Sequence, residues 1–425
     1  MKLYPHQVEG LKQTEGHRNC ALYWDMGLGK TFGGSEKMVE YNNHMNLIVC
    51  QKSKIGDWVE HLQQQYGLKF TVFDLTKKNQ IQKMFDCRHV CQIVGVINYE
   101  LAWRRKELLD LKDFTLMLDE SSLIQNKTAK QTKFILELQP KNVILLSGTP
   151  TAGKYENLWT QAHLLGWKIS EQLYNGQYVN WKTVESDGFF HKIVDKDNPY
   201  KNVERLKQKF RDHGAVFMKT EEVFSLPEQT FTFVKVPTTR EYRKFMKTGY
   251  VQLKDGTELI GDQIFTKRLY SRQLCGIYNR DKLEAFKELI QSTNDRVIVF
   301  YNFTAELIEL EAVLNDMGRP FSLITGHCKR LDEYEQCDDS VTLIQYQAGA
   351  MGLNLQKANK MIYFTLPERS ELFEQSKARI HRIGQNRPCF YWIMQCAGSV
   401  EEDIYSTLLE RKDWTDELFQ TVKTR

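Results

Sequence analysis

The sequence predicts an α/β protein made of two lobes, each built on a mostly parallel β-sheet with helices on both faces. Three observations support this prediction. The chain has 425 residues, which is too many for one ordinary hydrophobic core. Short apolar, β-branched runs alternate with amphipathic stretches in the first half of the chain, and the same alternation returns later. A glycine-rich loop with a lysine directly follows one of the apolar runs.

The predicted strands fall into two sets, separated by a stretch in which aromatic and polar residues are distributed differently. The first set lies at residues 46–50, 92–97, 115–118 and 142–146, and the second at 296–301, 320–324, 341–345, 360–365 and 390–395. Between them, residues 151–290 spread aromatic side chains through polar sequence and include charged helical stretches at 203–211 and 240–247. We expect closing helices, insertions and a connector in this stretch.

From this alternation we predict three segments. Residues 1–225 form the first lobe, with a helical insertion at 151–225. Residues 226–280 form a connector, and residues 281–425 form the second lobe. The hinge is expected at Leu226 and Pro227, because a proline fixes its own φ angle and restrains the residue before it.

The composition favours a soluble, intracellular protein. Hydrophobic residues make up 41% of the chain and charged residues 26%, which are globular values. No apolar run reaches the length of about eighteen residues that spans a membrane, and the start of the chain lacks a signal peptide. The nine cysteines include no C-x-x-C pair, so we expect reduced thiols and no zinc site. The net charge of +4 permits a polyanionic partner without requiring one.

The glycine-rich loop reads D-M-G-L-G-K-T and carries a phosphate-binding signature. Gly27 and Gly29 let backbone N–H groups turn toward an anion without a Cβ clash. Lys30 supplies a charge for the β- and γ-phosphates, and Thr31 supplies a hydroxyl for Mg²⁺. The strict pattern has a glycine where Trp24 stands, so a surface turn before a helix is the alternative. The motifs further along favour a nucleoside triphosphate site.

Two carboxylates, Asp119 and Glu120, end the apolar run T-L-M-L-D-E-S-S. At the carboxyl end of a parallel strand, one such carboxylate can bind Mg²⁺ while the other orients and deprotonates the attacking water. A lone D-E pair is more often an acidic turn, but the phosphate loop upstream reverses that preference. Further on, V-I-L-L-S-G-T-P predicts a buried strand that ends in small hydroxyl residues able to respond to a γ-phosphate.

The second lobe supplies two arginines in the segment E-Q-S-K-A-R-I-H-R-I-G-Q. If this segment is helical, Gln375, Arg379 and Arg382 share one face, because they lie at positions i, i+4 and i+7. Guanidinium groups placed in this way can stabilise charge on a transferring phosphoryl group, as arginine fingers do. A solvated basic helix face is the alternative. A cleft between two lobes favours the catalytic interpretation.

The order of these motifs resembles that of the Snf-type DNA translocases of helicase superfamily two, across nearly the whole chain. The resemblance begins with L-Y-P-H-Q-V-E-G-L and continues through D-M-G-L-G-K-T, L-D-E-S-S, L-L-S-G-T-P and F-M-K-T-E-E-V-F-S-L-P-E-Q. It closes with S-R-Q-L-C, V-I-V-F-Y-N-F, Q-A-G-A-M-G-L-N-L and R-I-H-R-I-G-Q. The resemblance implies two tandem RecA-like lobes with parallel sheets and an ATP cleft between them.

The resemblance also implies roles for individual residues. The expected catalytic residues are Lys30, Asp119, Glu120, Arg379 and Arg382, and the expected Mg²⁺ ligands are Thr31 and Asp119. The residues expected to contact ATP are Gln7 as the adenine-reading glutamine, Met26, Gly27, Leu28, Gly29, Lys30, Thr31, Gly352, Asn354 near the ribose, and Gln375. The residues expected to contact nucleic acid are Lys52, Ser53, Asn98, Tyr99, Thr149, Thr325, Gly326, His327 and Gly349, with solvated loops as the alternative.

Two positions depart from the family pattern. The family usually has D-E-G-H or D-E-A-H where this chain has D-E-S-S, so Ser122 replaces the histidine that helps couple hydrolysis to the rest of the motor. The family's L-Q-N after S-G-T-P is replaced by T-A-G at residues 151–153. We interpret both departures as variation within a working ATPase.

The resemblance therefore predicts movement on duplex or branched DNA, driven by ATP and Mg²⁺, in replication, recombination or repair. Two alternatives stay open. One is a helicase for RNA or single strands, with a wedge in the aromatic region 174–181, and the other is a nucleotide-gated nucleic-acid-binding module without turnover. We expect a monomer without membrane contact, in the cytoplasm of a bacterial or virus-infected host cell.

Overall fold

Two seven-stranded sheets organise the chain in the computed structural model, which describes residues 3–88, 91–186, 189–349 and 353–420. Each sheet belongs to its own compact unit. The first unit consists of two segments, one that ends at Phe224 and one that begins at Arg411. The second unit is Ser225–Glu410.

The strands of the first unit form a parallel sheet and a separate hairpin. They are β1 (Cys20–Trp24), β2 (Met45–Cys50), β3 (Phe70–Asp74), β4 (Gln92–Asn98), β5 (Thr115–Asp119), β6 (Asn142–Leu146), β7 (Trp181–Ser186), β8 (Phe189–Val194) and β9 (Ala215–Met218). The sheet has the order β3-β4-β2-β5-β6-β1-β9, and every neighbouring pair in it is parallel. Strands β7 and β8 pair only with each other, antiparallel.

The helices of the first unit connect these strands. They are α1 (Pro5–Lys12), α2 (Lys30–Tyr41), α3 (Ile55–Tyr66), α4 (Lys78–Asp86), α5 (Tyr99–Ala102), α6 (Lys130–Glu137), α7 (Trp159–Leu164), α8 (Glu171–Tyr178), α9 (Val203–Asp212) and α10 (Thr220–Val223). Short 3₁₀ turns occupy Lys52–Lys54, Lys106–Asp110, Ser121–Ile124 and Tyr155–Leu158.

Alternate residues of β1 show why its apolar run is unbroken. Ala21 and Tyr23 pack into one hydrophobic core, while Leu22 and Trp24 pack into a second core. Because a parallel sheet is covered on both faces, its strands carry apolar side chains at consecutive positions.

The strands of the second unit repeat this plan. They are β10 (Gln229–Val236), β11 (Tyr250–Gln252), β12 (Glu258–Ile260), β13 (Val297–Tyr301), β14 (Phe321–Ile324), β15 (Lys329–Arg330), β16 (Val341–Gln345), β17 (Lys360–Tyr363) and β18 (Cys389–Cys396). The sheet has the order β10-β18-β17-β13-β16-β14-β15, parallel except for the short edge strand β15. Strands β11 and β12 form a separate antiparallel hairpin.

The helices of the second unit end with the longest one. They are α11 (Arg240–Thr248), α12 (Ile264–Gly276), α13 (Arg280–Gln291), α14 (Thr304–Asp316), α15 (Asp332–Gln336), α16 (Tyr346–Gly349), α17 (Ser370–Lys377) and α18 (Val400–Phe419). Helix α18 leaves the second unit at Glu410, and its last turns belong to the first unit. There Leu418 and Phe419 are buried in the hydrophobic core, and the Tyr155 hydroxyl donates to the Trp414 carbonyl at 2.8 Å.

The observed architecture confirms the predicted α/β fold with two mostly parallel sheets. The segment boundaries differ from the sequence prediction in three places. Residues 151–225 hold the β7–β8 hairpin and strand β9 as well as helices, and residues 226–280 belong to the second unit, where β10 pairs with β18 over eight residues. Residues 411–420 belong to the first unit. These contacts join parts of the chain that are far apart in sequence, so local pattern does not reveal them.

Among the described residues, no helix combines the length and the apolar content needed to cross a membrane.

Candidate active site

The glycine-rich loop joins β1 to α2 at the carboxyl edge of the first sheet. β1 ends at Trp24, and α2 begins at Lys30 with Gly29 as its N-cap. Gly27 and Gly29 have φ angles of 90° and 78°, in the left-handed region that favours glycine. The loop therefore leads into a helix N-terminus, whose free N–H groups and dipole favour an anion.

The Lys30 ammonium lies at the mouth of this loop. Its Nζ donates to the carbonyls of Trp24 at 2.9 Å and Asp25 at 3.2 Å. A Cβ atom built on Gly148 would lie 3.4 Å from Nζ. The glycine of S-G-T-P therefore leaves room for the lysine, which links these two motifs in space.

Helix α1 braces the loop from the other side. The Gln7 carboxamide donates to the Leu28 carbonyl at 3.1 Å and accepts from the Tyr4 amide at 2.9 Å. A Cβ atom on Gly29 would lie 2.1 Å from Gln7 Nε2, so any larger residue there would displace the Gln7 carboxamide as well as strain the left-handed backbone. The structure thus gives Gln7, which is buried, a role in holding the loop. Its adenine-reading role stays a prediction.

The remaining loop residues differ in exposure. Leu28 is fully buried in the core that also holds Trp24, so its side chain serves packing. Met26 is half-buried, and its carbonyl accepts from the Thr220 hydroxyl at 3.2 Å. Thr31 is half-buried at the second position of α2.

The carboxylate pair lies at the carboxyl end of β5, where Asp119 is the last strand residue and Glu120 follows it. Strand β6 lies between β5 and β1 in the sheet. Asp119 Oδ2 accepts from Trp58 Nε1 at 2.8 Å, and the Tyr99 hydroxyl donates to the Asp119 carbonyl at 2.9 Å. Burial raises the pKa of Asp119, while the Trp58 hydrogen bond and the charge of Lys30 oppose that rise. A divalent cation would favour the ionised carboxylate at this position, so the residues fit a Mg²⁺ site.

Glu120 has a left-handed backbone, with a φ angle of 53°. Non-glycine residues adopt this conformation rarely, and it recurs at functional sites. It turns the chain sharply between β5 and the 3₁₀ turn Ser121–Ile124.

Gln161 of α7, which sequence reasoning missed, connects three motifs. Its Oε1 accepts from Ser121 Oγ at 2.7 Å and from the Tyr23 hydroxyl at 2.9 Å. Its Nε2 donates to the Pro150 carbonyl at 2.7 Å, and the side chain is completely buried. Gln161 therefore ties D-E-S-S to S-G-T-P and to β1. A single glutamine in an amphipathic stretch carries no sequence signal for this role.

The arginine segment of the second unit differs from the sequence prediction. Helix α17 ends at Lys377, so Gln375, Arg379 and Arg382 do not lie on one helical face, and that prediction was wrong. The chain turns because Ile380 is buried in the core while Gln385 Nε2 donates to the Ile380 carbonyl at 3.2 Å. That carbonyl bonds to a side chain instead of continuing the helix.

The two arginines are both held by the folded turn. Arg379 is buried, and its carbonyl accepts from the Leu355 amide at 3.1 Å. Arg382 Nη1 donates to the Leu353 carbonyl at 3.5 Å, and burial lowers the pKa of Arg382. Gln375 is also buried, on α17. Asn354 is exposed, and Gly352 lies outside the described residues.

Part of the expected nucleic-acid set lies on the surface. Lys52 and Ser53 are exposed in the 3₁₀ turn after β2. Gly326 and His327 are exposed in the turn between β14 and β15, where half-buried Thr325 accepts the His327 and Cys328 amides through Oγ1. Gly349 is the last residue of α16.

Three residues of that set have buried side chains. Asn98 Nδ2 donates to Glu100 Oε2 at 2.6 Å, and the Thr149 amide donates to Ser147 Oγ at 3.1 Å. Tyr99 is buried beneath Asp119. The expected phosphate contact by the Tyr99 side chain is therefore replaced by an observed role in positioning the Asp119 backbone.

Fold and site together define a P-loop protein with two tandem RecA-like units. The profile of the SNF2-related domain matches residues 6–285, and that of the helicase conserved C-terminal domain matches residues 281–384. The first match alone covers well over half of the chain. The chain therefore belongs to the SNF2-related family.

Individual relatives are distant but match along the whole chain. Protein YwqA of Bacillus subtilis (strain 168) is 24% identical over 99% of this chain and 49% of its own length. The uncharacterized ATP-dependent helicase YqhH of the same organism is 24% identical over 96% of this chain and 78% of its own length. Human chromodomain-helicase-DNA-binding protein 1 is 22% identical over 95% of this chain and 26% of its own length. The chain thus spans about half the length of YwqA.

One similar solved structure is the SWI2/SNF2 ATPase core of Sulfolobus solfataricus in complex with dsDNA. It is 18% identical, with a TM-score of 0.46, and the match covers 99% of this chain and 94% of that chain.

Proposed function

We propose that this protein is a DNA translocase that hydrolyses ATP with Mg²⁺ and moves on duplex or branched DNA. The observation that carries the proposal is the convergence of Lys30, Asp119 and S-G-T-P at the carboxyl ends of β1, β5 and β6, within a chain of the SNF2-related family. The names of YqhH and of the solved ATPase core with dsDNA agree with it. Replication, recombination or repair is the proposed setting, and a cytoplasmic monomer the proposed form.

Each residue of the first unit has a proposed part in hydrolysis. The N–H groups of the loop and the Lys30 ammonium would bind the phosphates. Thr31 and Asp119 would hold Mg²⁺, which supplies charge to the phosphate oxygens when bound. Glu120 would orient the attacking water and accept its proton.

The second unit and the surface loops have proposed parts as well. Arg379 and Arg382 are proposed to stabilise the charge on the phosphoryl group as arginine fingers. Lys52, Ser53 and the turn 325–327 are proposed to contact DNA phosphates without reading bases.

The test is steady-state ATP hydrolysis by the purified full chain, alone and with duplex DNA, single-stranded DNA, forked DNA or RNA. We expect duplex or forked DNA to stimulate turnover. Lys30→Ala and Glu120→Gln should each reduce the stimulated rate by about 10²-fold or more, because a charge on the phosphates or the general base is lost. Full stimulated activity in either variant would reject its assignment. Tight ATP binding without turnover on any nucleic acid would instead support the non-catalytic binding module.

A second candidate function, strand separation, is favoured by the β7–β8 hairpin. In the aromatic region 174–181, Trp181 is 41% exposed, whereas Tyr174 and Tyr178 are buried and offer no wedge. The hairpin that follows them exposes Phe189 by 69% and Phe190 by 76%. These adjacent residues point to opposite faces of the ribbon, where each ring could stack on a base.

Unwinding of a forked duplex tests this candidate. Phe189→Ser with Phe190→Ser should abolish unwinding and leave duplex-stimulated ATP hydrolysis intact. If the wild type separates no strands on any fork while hydrolysing ATP, the candidate is rejected in favour of translocation alone.

A further inference from the structure

Helix α11 carries a row of cations on one face. Arg240, Arg243, Lys244 and Lys247 lie at positions i, i+3, i+4 and i+7, so they share that face, and all four are exposed. We call these four residues the cationic stripe.

The orientation of the stripe is fixed by packing on the opposite face. Tyr242 and Phe245 are buried in a core shared with β11, β12 and α12. The helix also has firm ends, because Thr239 Oγ1 accepts from the Tyr242 amide at 3.1 Å and Gly249 closes the C-terminus with a φ angle of 71°. The cations therefore face solvent as a consequence of the fold.

Carboxylates do not neutralise the stripe. Within the part of the chain that the structure describes, none of the four cations forms an ion pair. Lys244 Nζ instead lies 5.8 Å from the ring of Tyr250, whose hydroxyl donates to Glu258. Like charges three and four residues apart repel each other. This arrangement opposes helix stability and calls for an anionic partner.

The charge of the whole chain is concentrated around this helix. From the start of α11 to the end of α12, residues 240–276 contain eight Lys and Arg residues and four Asp and Glu residues. The difference is +4, which equals the net charge of all 425 residues. Outside this segment the formal charges balance, and Glu368 pairs with Arg268 and Arg272 of α12, so the unpaired positive charge of the segment that can attract an extended anion lies mainly on α11.

The dimensions fit a phosphate backbone. The stripe spans about 10 Å along the helix axis, since each residue advances the helix by about 1.5 Å. Duplex DNA carries one charge per about 1.7 Å of its axis, so several phosphates face four cations over this length. The face has no apolar anchor between its cations, and exposed ion pairs with an acidic protein segment would add little affinity.

We propose that the cationic stripe of α11 binds the phosphate backbone of duplex DNA, as an anchor in addition to the loops that would follow the backbone during translocation. The inference rests on the proposed function for its choice of partner. Its contacts are with phosphates alone, so binding through the stripe is independent of base sequence and strongly dependent on salt.

The test compares two full-length variants with the same change in net charge. The stripe variant carries Arg240→Gln, Arg243→Gln, Lys244→Gln and Lys247→Gln. The control variant carries glutamine at four exposed lysines of the first unit without ion pairs to described residues, Lys12→Gln, Lys112→Gln, Lys133→Gln and Lys168→Gln. Affinity for a duplex of mixed sequence is measured without nucleotide at several salt concentrations.

We expect the slope of log affinity against log salt to become shallower by about 3.6 in the stripe variant, since each of the four lost phosphate contacts removes about 0.9. The slope of the control variant should stay within about 0.9 of the wild-type slope, which corresponds to one phosphate contact. Thermal unfolding should show the stripe variant to be at least as stable as the wild type, because repulsion within α11 is removed. Equal slopes for the stripe and control variants would overturn the inference.

Turnover separates this inference from the proposed function. ATP hydrolysis at saturating duplex DNA should be the same in the stripe variant and the wild type, with a higher DNA concentration needed for half-maximal stimulation. If the wild type is not stimulated by DNA, the proposed function fails, while the salt slopes still decide the stripe. If DNA stimulates the wild type but the stripe and control variants have equal salt slopes, only the inference about the stripe is rejected.

Discussion

At the scale of single residues, Gln161 combines full burial with hydrogen bonds to three separate segments. In most of the family a histidine at the position of Ser122 serves coupling, according to the resemblance in sequence. In this chain the neighbouring Ser121 reaches Gln161, which in turn reaches Pro150. The connection between D-E-S-S and S-G-T-P is therefore made by a side chain from a third element.

Replacing Gln161 should lower the DNA-stimulated rate of ATP hydrolysis more than it lowers the affinity for ATP. Gln161→Leu leaves Ser121 and the Pro150 carbonyl without their partner, so we expect the DNA-stimulated rate to fall by about tenfold and stability to fall by about 1–3 kcal/mol. The measurement is the ratio of stimulated to basal ATP hydrolysis. Thr160→Val, at a buried neighbouring position, is the control and should keep that ratio. An unchanged ratio in Gln161→Leu would show that the link is structural only.

His61 gives the first unit a defined response to acid. Burial lowers the pKa of His61 from 6.5 to about 4, and its ring packs edge-on against Phe32 and Trp58. Between these two pH values the unfolded chain binds the proton and the folded chain does not, so stability is lost as the pH falls through this window. We expect His61→Phe to lose less stability than the wild type between pH 7 and about pH 4, in denaturant unfolding at each pH. Parallel curves for the two proteins would contradict this account.

At the scale of elements, the approach of α2 to the sheet depends on glycine. A Cβ atom on Gly33 would lie 2.8 Å from the Trp24 ring and 2.9 Å from Leu22 Cδ1. Both neighbours are fully buried, so a shift of either side chain would disturb the packing of the core. Helix α2, which carries Lys30 and Thr31 at its start, is therefore held close to β1 by the absence of a side chain.

Gly33→Ala should destabilise the protein although alanine favours a helix. The gain in helix propensity is about 1 kcal/mol, whereas overpacking costs about 1–3 kcal/mol and displaces α2. Gly176→Ala is the matched control, because Gly176 also lies in a helix and a Cβ atom there meets nothing within 4 Å. Denaturant unfolding should show a lower midpoint for Gly33→Ala and an equal or higher one for Gly176→Ala. Stabilisation by both would mean that α2 shifts without cost.

At the scale of the whole molecule, the chain passes between its two units twice. It leaves the first unit after Phe224 and returns to it at Arg411 within α18. The returning residues complete the core of the first unit, where Leu418 is fully buried. Residues 1–224 by themselves therefore lack part of that core.

Leu418→Ala should destabilise the first unit by about 2–5 kcal/mol, as buried leucine truncations do. Leu409→Ala on the same helix is the control, since Leu409 is 41% exposed and should change stability by less than about 1 kcal/mol. Thermal unfolding of both full-length variants measures the difference, and ATP binding reports on the first unit specifically. Equal effects of the two substitutions would show that the returning residues do not support the first core.

The sequence by itself determined the α/β class, the phosphate loop and the order of motifs. Unbroken apolar runs such as L-I-V-C in β2 and V-I-L-L in β6 require strands covered on both faces. The loop from Asp25 to Lys30 needs glycine at two left-handed positions, and that requirement is local. Such features depend on neighbours along the chain, so they are readable without a fold.

Only the tertiary structure decided where the helices end and which distant residues meet. Helix α17 stops at Lys377 because Ile380 enters the core and Gln385, further along the chain, bonds to its carbonyl. The Tyr99 hydroxyl donates to the Asp119 carbonyl, and Gln161 connects D-E-S-S to S-G-T-P. The last turns of α18 belong to the first unit. The end of α17 follows from the burial of Ile380 in the core, and the other three outcomes follow from contacts between residues far apart in sequence. No local pattern of residues encodes either kind of contact.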